Sequence, residues 1–210
     1  MFVNRDPILY LSSMLAIFLI LPIHEWAHAY TAYLLGDHTA KWEGRLSINP
    51  MRHLSLWGSI CLLCFGFGWA KPVPINPYNL TKVKDPKIGF AICSLAGPIS
   101  NFLMAVILNI IFKILQYTNI SGVFLSIIYH CVLINIYLMV FNLLPIPPLD
   151  GSRIWGLFLK EETYNKLLIN EHKIIFIIYI LLFTGVLSLP LNLLSNIVLW
   201  FINLITWFIK

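Results

Sequence analysis

One apolar run, residues 7 to about 35, contains the polar sequence Leu21-Pro22-Ile23-His24-Glu25-Trp26-Ala27-His28. A membrane helix needs about 20 apolar residues, so the run is long enough to cross a bilayer, and Pro22 is a point where the helix can kink. The run is too long for the core of a signal peptide, and it lacks a small-residue cleavage site. We therefore predict a retained membrane helix that carries three polar side chains in its second half.

The spacing of His24 and His28 predicts a metal site. Residues four apart on an α-helix lie within about 40° of each other, so both imidazoles can reach one zinc ion at about 2.0–2.1 Å. Glu25 is adjacent and can take a proton from a water that the metal polarises. H-E-x-x-H is a zinc metalloprotease signature, and ionisable groups in a membrane helix are rare unless they are functional. The alternative is a helix end at the membrane interface with solvated histidines.

A catalytic zinc usually has a third protein ligand, and Asp150 is the best candidate. It follows Pro145-Ile146-Pro147-Pro148-Leu149, at the end of another long apolar run. An unwound backbone of this kind can line a cavity within the membrane but cannot face lipid. The alternative is that Asp150-Gly151 is an ordinary turn before a helix.

Composition excludes a soluble protein. Of the 210 residues, 59% are apolar and 11% are charged, against about 25% charged in a soluble domain. We expect one all-α integral membrane domain over residues 1–210, with a core at 7–155 and accessory helices at 174–209. Beyond the first run, further long apolar runs predict a bundle of about five to six transmembrane helices: about 88–115, 123–144, 174–189 and 191–209, the last two broken at Pro190.

Residues 37–56 are mixed in polarity, and residues 56–70 form an apolar run that is short for a full span. The second run fits a re-entrant or interfacial segment, and Leu46-Ser47-Ile48 alternates like a short strand. The sequence therefore predicts a small membrane-associated β or re-entrant loop after the first helix.

The basic residues indicate an orientation rather than a nucleic-acid partner. Residues 37–87 hold seven of the fourteen Lys and Arg residues, residues 145–173 hold four, and Arg5 lies on the opposite side. By the positive-inside rule both polar loops face the cytoplasm in a multi-pass protein. Cys61 and Cys64 have the C-x-x-C spacing of some zinc and redox sites, but small buried hydrophobes are the simpler interpretation of the four cysteines.

Two segments together carry a family resemblance. H-E-x-x-H in the first helix, combined with Asn142-Leu143-Leu144-Pro145-Ile146-Pro147-Pro148-Leu149-Asp150-Gly151, resembles the site-2 protease family of intramembrane zinc metalloproteases, whose second motif is N-x-x-P-x-x-x-L-D-G. The compact prokaryotic branch without a PDZ domain is similar at three further segments: residues 44–50, 68–77 and 96–101.

The resemblance implies roles for individual residues. His24, His28 and Asp150 would bind one catalytic Zn²⁺, Glu25 would be the general base, and Asn142 would position the substrate backbone or stabilise the oxyanion. It also implies a membrane-spanning protein substrate and a location in a prokaryotic plasma membrane. The chain departs from the family after His53, where an acidic residue and a proline are common in relatives, and we expect His53 to be an interfacial residue.

Two other functions are compatible with a membrane bundle. A non-proteolytic scaffold or metal carrier would keep the fold and the zinc, although all four of the zinc and base positions are intact. A transporter could use His24 and Glu25 as a proton or metal relay, but this does not explain Asp150 within a second motif.

Overall fold

In the computed structural model, which describes residues 7–65 and 68–209, the chain folds into helices. Arg5, Lys210 and positions 66 and 67 of the run 56–70 lie outside the described residues. The described part contains these α-helices: α1 (Pro7–Leu34), α2 (Thr39–Trp42), α3 (Leu56–Phe65), α4 (Pro86–Leu115), α5 (Gly122–Asn142), α6 (Asp150–Trp155), α7 (Glu161–Ile169), α8 (Glu171–Phe183) and α9 (Ser188–Ile205).

Three of the described helices, α4, α5 and α9, are long and apolar enough to cross a membrane. The all-helical class and the membrane character agree with the sequence, but the predicted count of five to six spans is not confirmed. Helix α3 has 10 residues and α8 has 13, which correspond to about 15 and 20 Å, less than the roughly 30 Å of a bilayer core.

Helix α4 lies at the centre of the bundle, where it packs against α1, α5 and α6. Its inner face carries a small or polar residue at every fourth position: Gly89, Cys93, Gly97, Asn101, Ala105 and Asn109. Its outer face exposes a stripe of large apolar side chains: Ile88, Ile92, Leu95, Ile99, Leu103, Ile107, Ile111 and Ile114. This distribution suits a helix in lipid, because small residues let helix backbones approach closely while branched apolar residues face the acyl chains.

Two apolar clusters hold the neighbouring helices against this centre. One joins α4, α5 and α9 through Ala105, Val132, Ile136, Val140, Leu191 and Ile202. The other joins α1 to α5 through Ala16, Ile17, Ile20 and Ile134. Pro22 lies inside α1 without ending it.

The strand predicted at Leu46-Ser47-Ile48 is wrong. Leu46 and Ser47 form a bend and Ile48 has no regular secondary structure, and within residues 7–65 and 68–209 the extended pairing is limited to one isolated antiparallel bridge, Leu54 with Ala70. Local bonds fold the segment on itself, because the Ser47 N–H donates to the Arg45 carbonyl (2.9 Å) and the Asn49 N–H donates to the Ser47 hydroxyl (3.1 Å). A chain turned in this way leaves no straight edge for a partner strand.

The break predicted at Pro190 also lies elsewhere. Helix α8 ends at Phe183, and the turn before α9 contains Gly185 with φ 75°, a left-handed conformation that glycine adopts without a steric cost. Pro190 lies in the first turn of α9, where its missing N–H would have no helical partner in any case.

Asp37 ties the end of α1 to the segment before α4. Helix α1 ends at Leu34, Gly36 follows in a turn with φ 110°, and the Asp37 N–H donates back to the Ala32 carbonyl at 2.9 Å. The fully buried carboxylate accepts hydrogen bonds from the Thr39 N–H (2.9 Å) and hydroxyl, from the Asn76 N–H (2.7 Å) and from the Asn79 amide (3.4 Å). Burial alone would raise the pKa of Asp37, but these donors outweigh burial and hold the pKa below its usual range.

We expect Asp37→Asn to lower the thermal midpoint of the protein in detergent at pH 7, at a cost of about 1.5–3 kcal/mol, because a charged acceptor is lost and an amide donor would face other donors. The folded-state pKa of Asp37 is depressed. Its stabilisation is therefore present above the unfolded pKa of about 3.9 and is lost as the pH falls through the folded pKa.

Thermal unfolding of wild type and Asp37→Asn between pH 7 and pH 3 measures this dependence, with exposed Glu43→Gln as the control. The difference between wild type and Asp37→Asn should shrink with acidification. A difference that stays constant over this range would contradict the role assigned to the carboxylate.

Candidate metal centre

His24 and His28 lie one turn apart on α1 and meet at the centre of the bundle. Their Nε2 atoms are 3.0 Å apart, and the two residues are only 4% and 7% exposed. Solvated histidines at a helix end would be open to water, so the structure does not favour that alternative.

Asp150, which is distant from the histidine pair in the sequence, lies next to it in the structure. It is the first residue of α6, and its Oδ2 lies 3.2 Å from Nε2 of His24 and 3.3 Å from Nε2 of His28. Gly151 allows this position, because a Cβ there would lie 2.2 Å from the Leu143 carbonyl oxygen just past the end of α5. Asp150-Gly151 is thus more than a surface turn, since it brings the carboxylate to the two imidazoles.

The three atoms have the size and the chemistry of a zinc site. They form a triangle with edges of 3.0, 3.2 and 3.3 Å. Around a tetrahedral zinc with bonds of about 2.0–2.1 Å, neighbouring ligand atoms lie about 3.3 Å apart. Asp150 Oδ2 is buried and accepts no hydrogen bond from the described residues, so a bound cation would satisfy it. Two imidazole nitrogens and one carboxylate oxygen therefore fit zinc.

The tautomer of His28 is compatible with metal binding. Its Nδ1 lies 2.7 Å from the Cys93 carbonyl oxygen, which can only accept, so Nδ1 carries the proton and Nε2 keeps a lone pair. Cys93 belongs to the inner face of α4, and its carbonyl faces His28. Helix α4 therefore orients the second histidine through its backbone.

Glu25 and Asn142 are not part of this triangle. Glu25 Oε2 accepts a hydrogen bond from the Val73 N–H at 3.1 Å. Asn142, the last residue of α5, donates from its amide to the Leu138 carbonyl at 2.9 Å. The described hydrogen bonds do not join Asn142 to the ligand triangle, so its role stays a prediction.

Gly97 is the contribution to the site that sequence reasoning missed. A Cβ at this position would lie 2.3 Å from His28 Nε2 and 2.5 Å from His24 Cε1. The segment Ala96-Gly97-Pro98 was noted in the sequence, but only the tertiary structure shows that α4 lies directly against the imidazoles. Asn101, four residues further along the same face, is 1% exposed, and neither of its amide atoms has a partner in the described part of the chain.

Other polar candidates lie outside the triangle. His53, which was expected to be an interfacial residue, is 1% exposed, and its Nε2 donates to the Ser47 carbonyl at 2.6 Å. The ring is buried because residues 45–54 fold around it. Cys61 and Cys64 are free thiols, and in residues 7–65 and 68–209 the group of side chains placed to hold a metal is His24, His28 and Asp150.

Comparisons with known proteins point to one family. The profile of peptidase family M50 matches residues 111–187, which include Asn142 and Asp150. A Bacillus subtilis protein, named provisionally as zinc metalloprotease YwhC, is 39% identical over 152 residues, which cover 63% of this chain and 62% of the relative. The chain therefore spans less than two thirds of that relative's length.

Two further relatives are matched over more of their length. A Mycolicibacterium smegmatis protein, named provisionally as zinc metalloprotease Rip2, is 31% identical over 193 residues, covering 89% of this chain and 68% of the relative. A Methanocaldococcus jannaschii protein with a provisional name as a zinc metalloprotease is 30% identical over 169 residues, covering 74% of this chain and 76% of the relative. No solved structure matches the chain.

We expect Gly97→Ala to lower zinc affinity, because the added methyl group would collide with both imidazoles. Outer contacts that orient ligands typically change metal affinity by about 10- to 100-fold, and we expect a loss in that range. Zinc bound per chain after dialysis against graded chelator measures it. Gly122→Ala is the matched control, because a Cβ there meets nothing within 4 Å. Equal zinc retention in the two variants would contradict the close approach of α4.

Proposed function

The chain belongs to peptidase family M50, the site-2 protease family, and from this premise we propose that it is an intramembrane zinc endopeptidase that cuts membrane-spanning proteins. The observation that carries the proposal is the convergence of His24, His28 and Asp150 within an apolar bundle. We assign the three side chains as zinc ligands. The similar proteins are named provisionally as zinc metalloproteases, and these names support the choice of metal.

The proposed chemistry divides between the metal and the chain. Zinc, when bound, supplies Lewis acidity to the scissile carbonyl and to the attacking water. Glu25 accepts the proton that the water loses and delivers it to the leaving amine nitrogen as the C–N bond breaks. Asn142 holds the substrate backbone. A primary amide has two N–H donors, and the bond to the Leu138 carbonyl uses only one.

The substrate must reach the zinc from the membrane. A cavity of about 550 Å³ lies between α1, α5 and α8, and Pro148 and Leu149, which precede Asp150, form part of its wall. The wall is mostly apolar, and its polar side chains include Tyr137, Tyr179, Ser188 and Asn192. A helical substrate hides its carbonyls in i→i−4 bonds. We infer that an unwound apolar segment of the substrate occupies this cavity beside the metal.

The proposed topology follows from the charges and the helix lengths. Residues 1–210 form one protease domain with α1 as a further span, α3 as a re-entrant helix, and α8 and α9 as the accessory pair. The loops within residues 37–87 and 145–173 face the cytoplasm from a prokaryotic plasma membrane. Accessibility of single cysteines introduced into each loop would test this orientation.

We expect Glu25→Gln to abolish proteolysis while zinc remains bound, because an amide cannot accept the water proton and Glu25 is not a ligand. General-base catalysis contributes about 10²- to 10⁴-fold, so turnover should fall at least by that factor. The measurement is a comparison of membrane-protein fragments from cells that express wild type or Glu25→Gln, together with the zinc content of both proteins.

Exposed Glu43→Gln is the matched control and should give the wild-type fragments. Removal of zinc by chelation should silence wild type, and added zinc should restore it. Identical fragments from wild type and Glu25→Gln would reject the protease and would favour a scaffold or metal carrier with the same fold.

A second prediction concerns the cavity. Leu182→Trp places a larger side chain in its wall and should reduce cleavage about tenfold or more without loss of zinc, because the substrate segment is excluded. Phe183→Trp is the control, since Phe183 is 75% exposed on the outer surface of α8. Fragment yield and zinc content are measured for both. Equal cleavage by the two variants would place the substrate elsewhere.

A further inference from the structure

An extended segment lies against the first helix at Glu25. We call it the strap and define it as residues 70–76, Ala70-Lys71-Pro72-Val73-Pro74-Ile75-Asn76. Pro72 and Pro74 have no N–H, so Val73 provides the single main-chain donor of this proline pair. That donor makes the 3.1 Å hydrogen bond to Glu25 Oε2. The prolines also keep the flanking chain extended, which holds the Val73 N–H in one direction.

Both ends of the strap are fixed to buried groups. At its start Ala70 forms the bridge with Leu54, and the Lys71 N–H donates to the His53 carbonyl at 2.7 Å. At its end the Asn76 N–H donates to the Asp37 carboxylate at 2.7 Å. The segment is therefore held by hydrogen bonds on both sides of Val73.

Arg45 contacts the strap immediately before Val73. Its Nη2 donates to the carbonyl oxygen of Lys71 and, at 3.3 Å, to that of Pro72. Arg45 is 5% exposed, and its Nε and Nη1 have no hydrogen-bond partner among the described residues. Burying a guanidinium is costly unless it is paired or hydrogen-bonded. Here its bonds go to the two carbonyls that precede the donor to Glu25.

We propose that Arg45 is a positioning residue that acts through the strap on Glu25. Arg45 holds the Lys71 and Pro72 carbonyls, this fixes the Val73 N–H, and the N–H anchors Oε2 of Glu25 so that Oε1 is presented for proton transfer. The inference rests on the proposed function, in which Glu25 is the base. The inference assigns a role to residues 44–50 and 68–77, which contribute no side chain to the candidate metal site.

The first test removes the Val73 N–H, which is the donor to Glu25. Val73→Pro and Val73→Ala both remove the isopropyl group of valine, but only Val73→Pro also removes the backbone N–H. We expect kcat of Val73→Pro to be about 10- to 100-fold below that of Val73→Ala, the range of a hydrogen bond to a charged group, with KM and zinc content equal in both. Equal kcat values in the two variants would overturn the proposal.

The second test acts at Arg45. Arg45→Ala should lower kcat about tenfold with KM and zinc content unchanged, and Arg45→Lys should restore part of the loss because an ammonium can still donate to the carbonyls. Arg52→Ala is the control, because Arg52 is exposed and donates to the Gly44 carbonyl instead. No rescue by lysine, or an equal loss in Arg52→Ala, would contradict positioning by Arg45.

A third measurement does not depend on activity. Hydrogen exchange of the Val73 amide, followed by NMR on valine-labelled protein, should be about tenfold faster in Glu25→Ala and in Arg45→Ala than in wild type. Other valine amides should exchange as before. Faster exchange at all valines would show general unfolding and contradict the proposal, as would unchanged exchange at Val73.

The results separate the inference from the function on which it rests. If wild type cleaves and Glu25→Gln does not, the proposed protease function is supported. The comparison of Val73→Pro with Val73→Ala then tests whether the strap positions Glu25. If wild type does not cleave, the proposed function fails. The contact is then supported by protection of Val73 that depends on Glu25, and it is rejected if that protection is missing.

Discussion

Three polar side chains, which need hydrogen-bond or metal partners, lie inside an apolar bundle, and the rest of the structure brings them together. His24, His28 and Asp150 come from opposite ends of the core sequence, and each would be costly to bury alone. Together their ligand atoms form a triangle of 3.0 to 3.3 Å, which a single cation satisfies. A metal bound by these three atoms would link metal binding to folding, because the atoms come together only when α1 and α6 have both packed into the bundle.

Helix α4 makes this convergence geometrically feasible. Its small inner face admits α1 so closely that even a methyl group at Gly97 would collide with the imidazoles, and the Cys93 carbonyl sets the tautomer of His28. In water such a face would be a weak core, because it buries little apolar area. In lipid, close backbone packing contributes more than apolar bulk, so the large side chains of α4 lie on its outer surface.

The strap, which is anchored to the loop after α1, contacts Glu25, the proposed general base. Arg45 and His53 are buried beneath the strap, and Asp37 fixes its far end. The proposed base is thus contacted from outside the helix that carries it, whereas the candidate ligands His28 and Asp150 are positioned by α4 and α6. Two separate sets of contacts can then set the position of the metal and the direction of the proton acceptor.

The sequence by itself determined the membrane class and the helix with the histidine pair, because apolar length and helical spacing are local properties, and it predicted that Asp150 lies with that pair, as the structure places it. It misplaced the strand at residues 46–48 and the break at Pro190, where hydrogen bonds and turn geometry override the pattern. Only the tertiary structure decided that Gly97 faces the imidazoles and that Val73 contacts Glu25. These contacts join residues some 50 to 70 positions apart, and no local pattern encodes which surfaces of two helices or loops will meet.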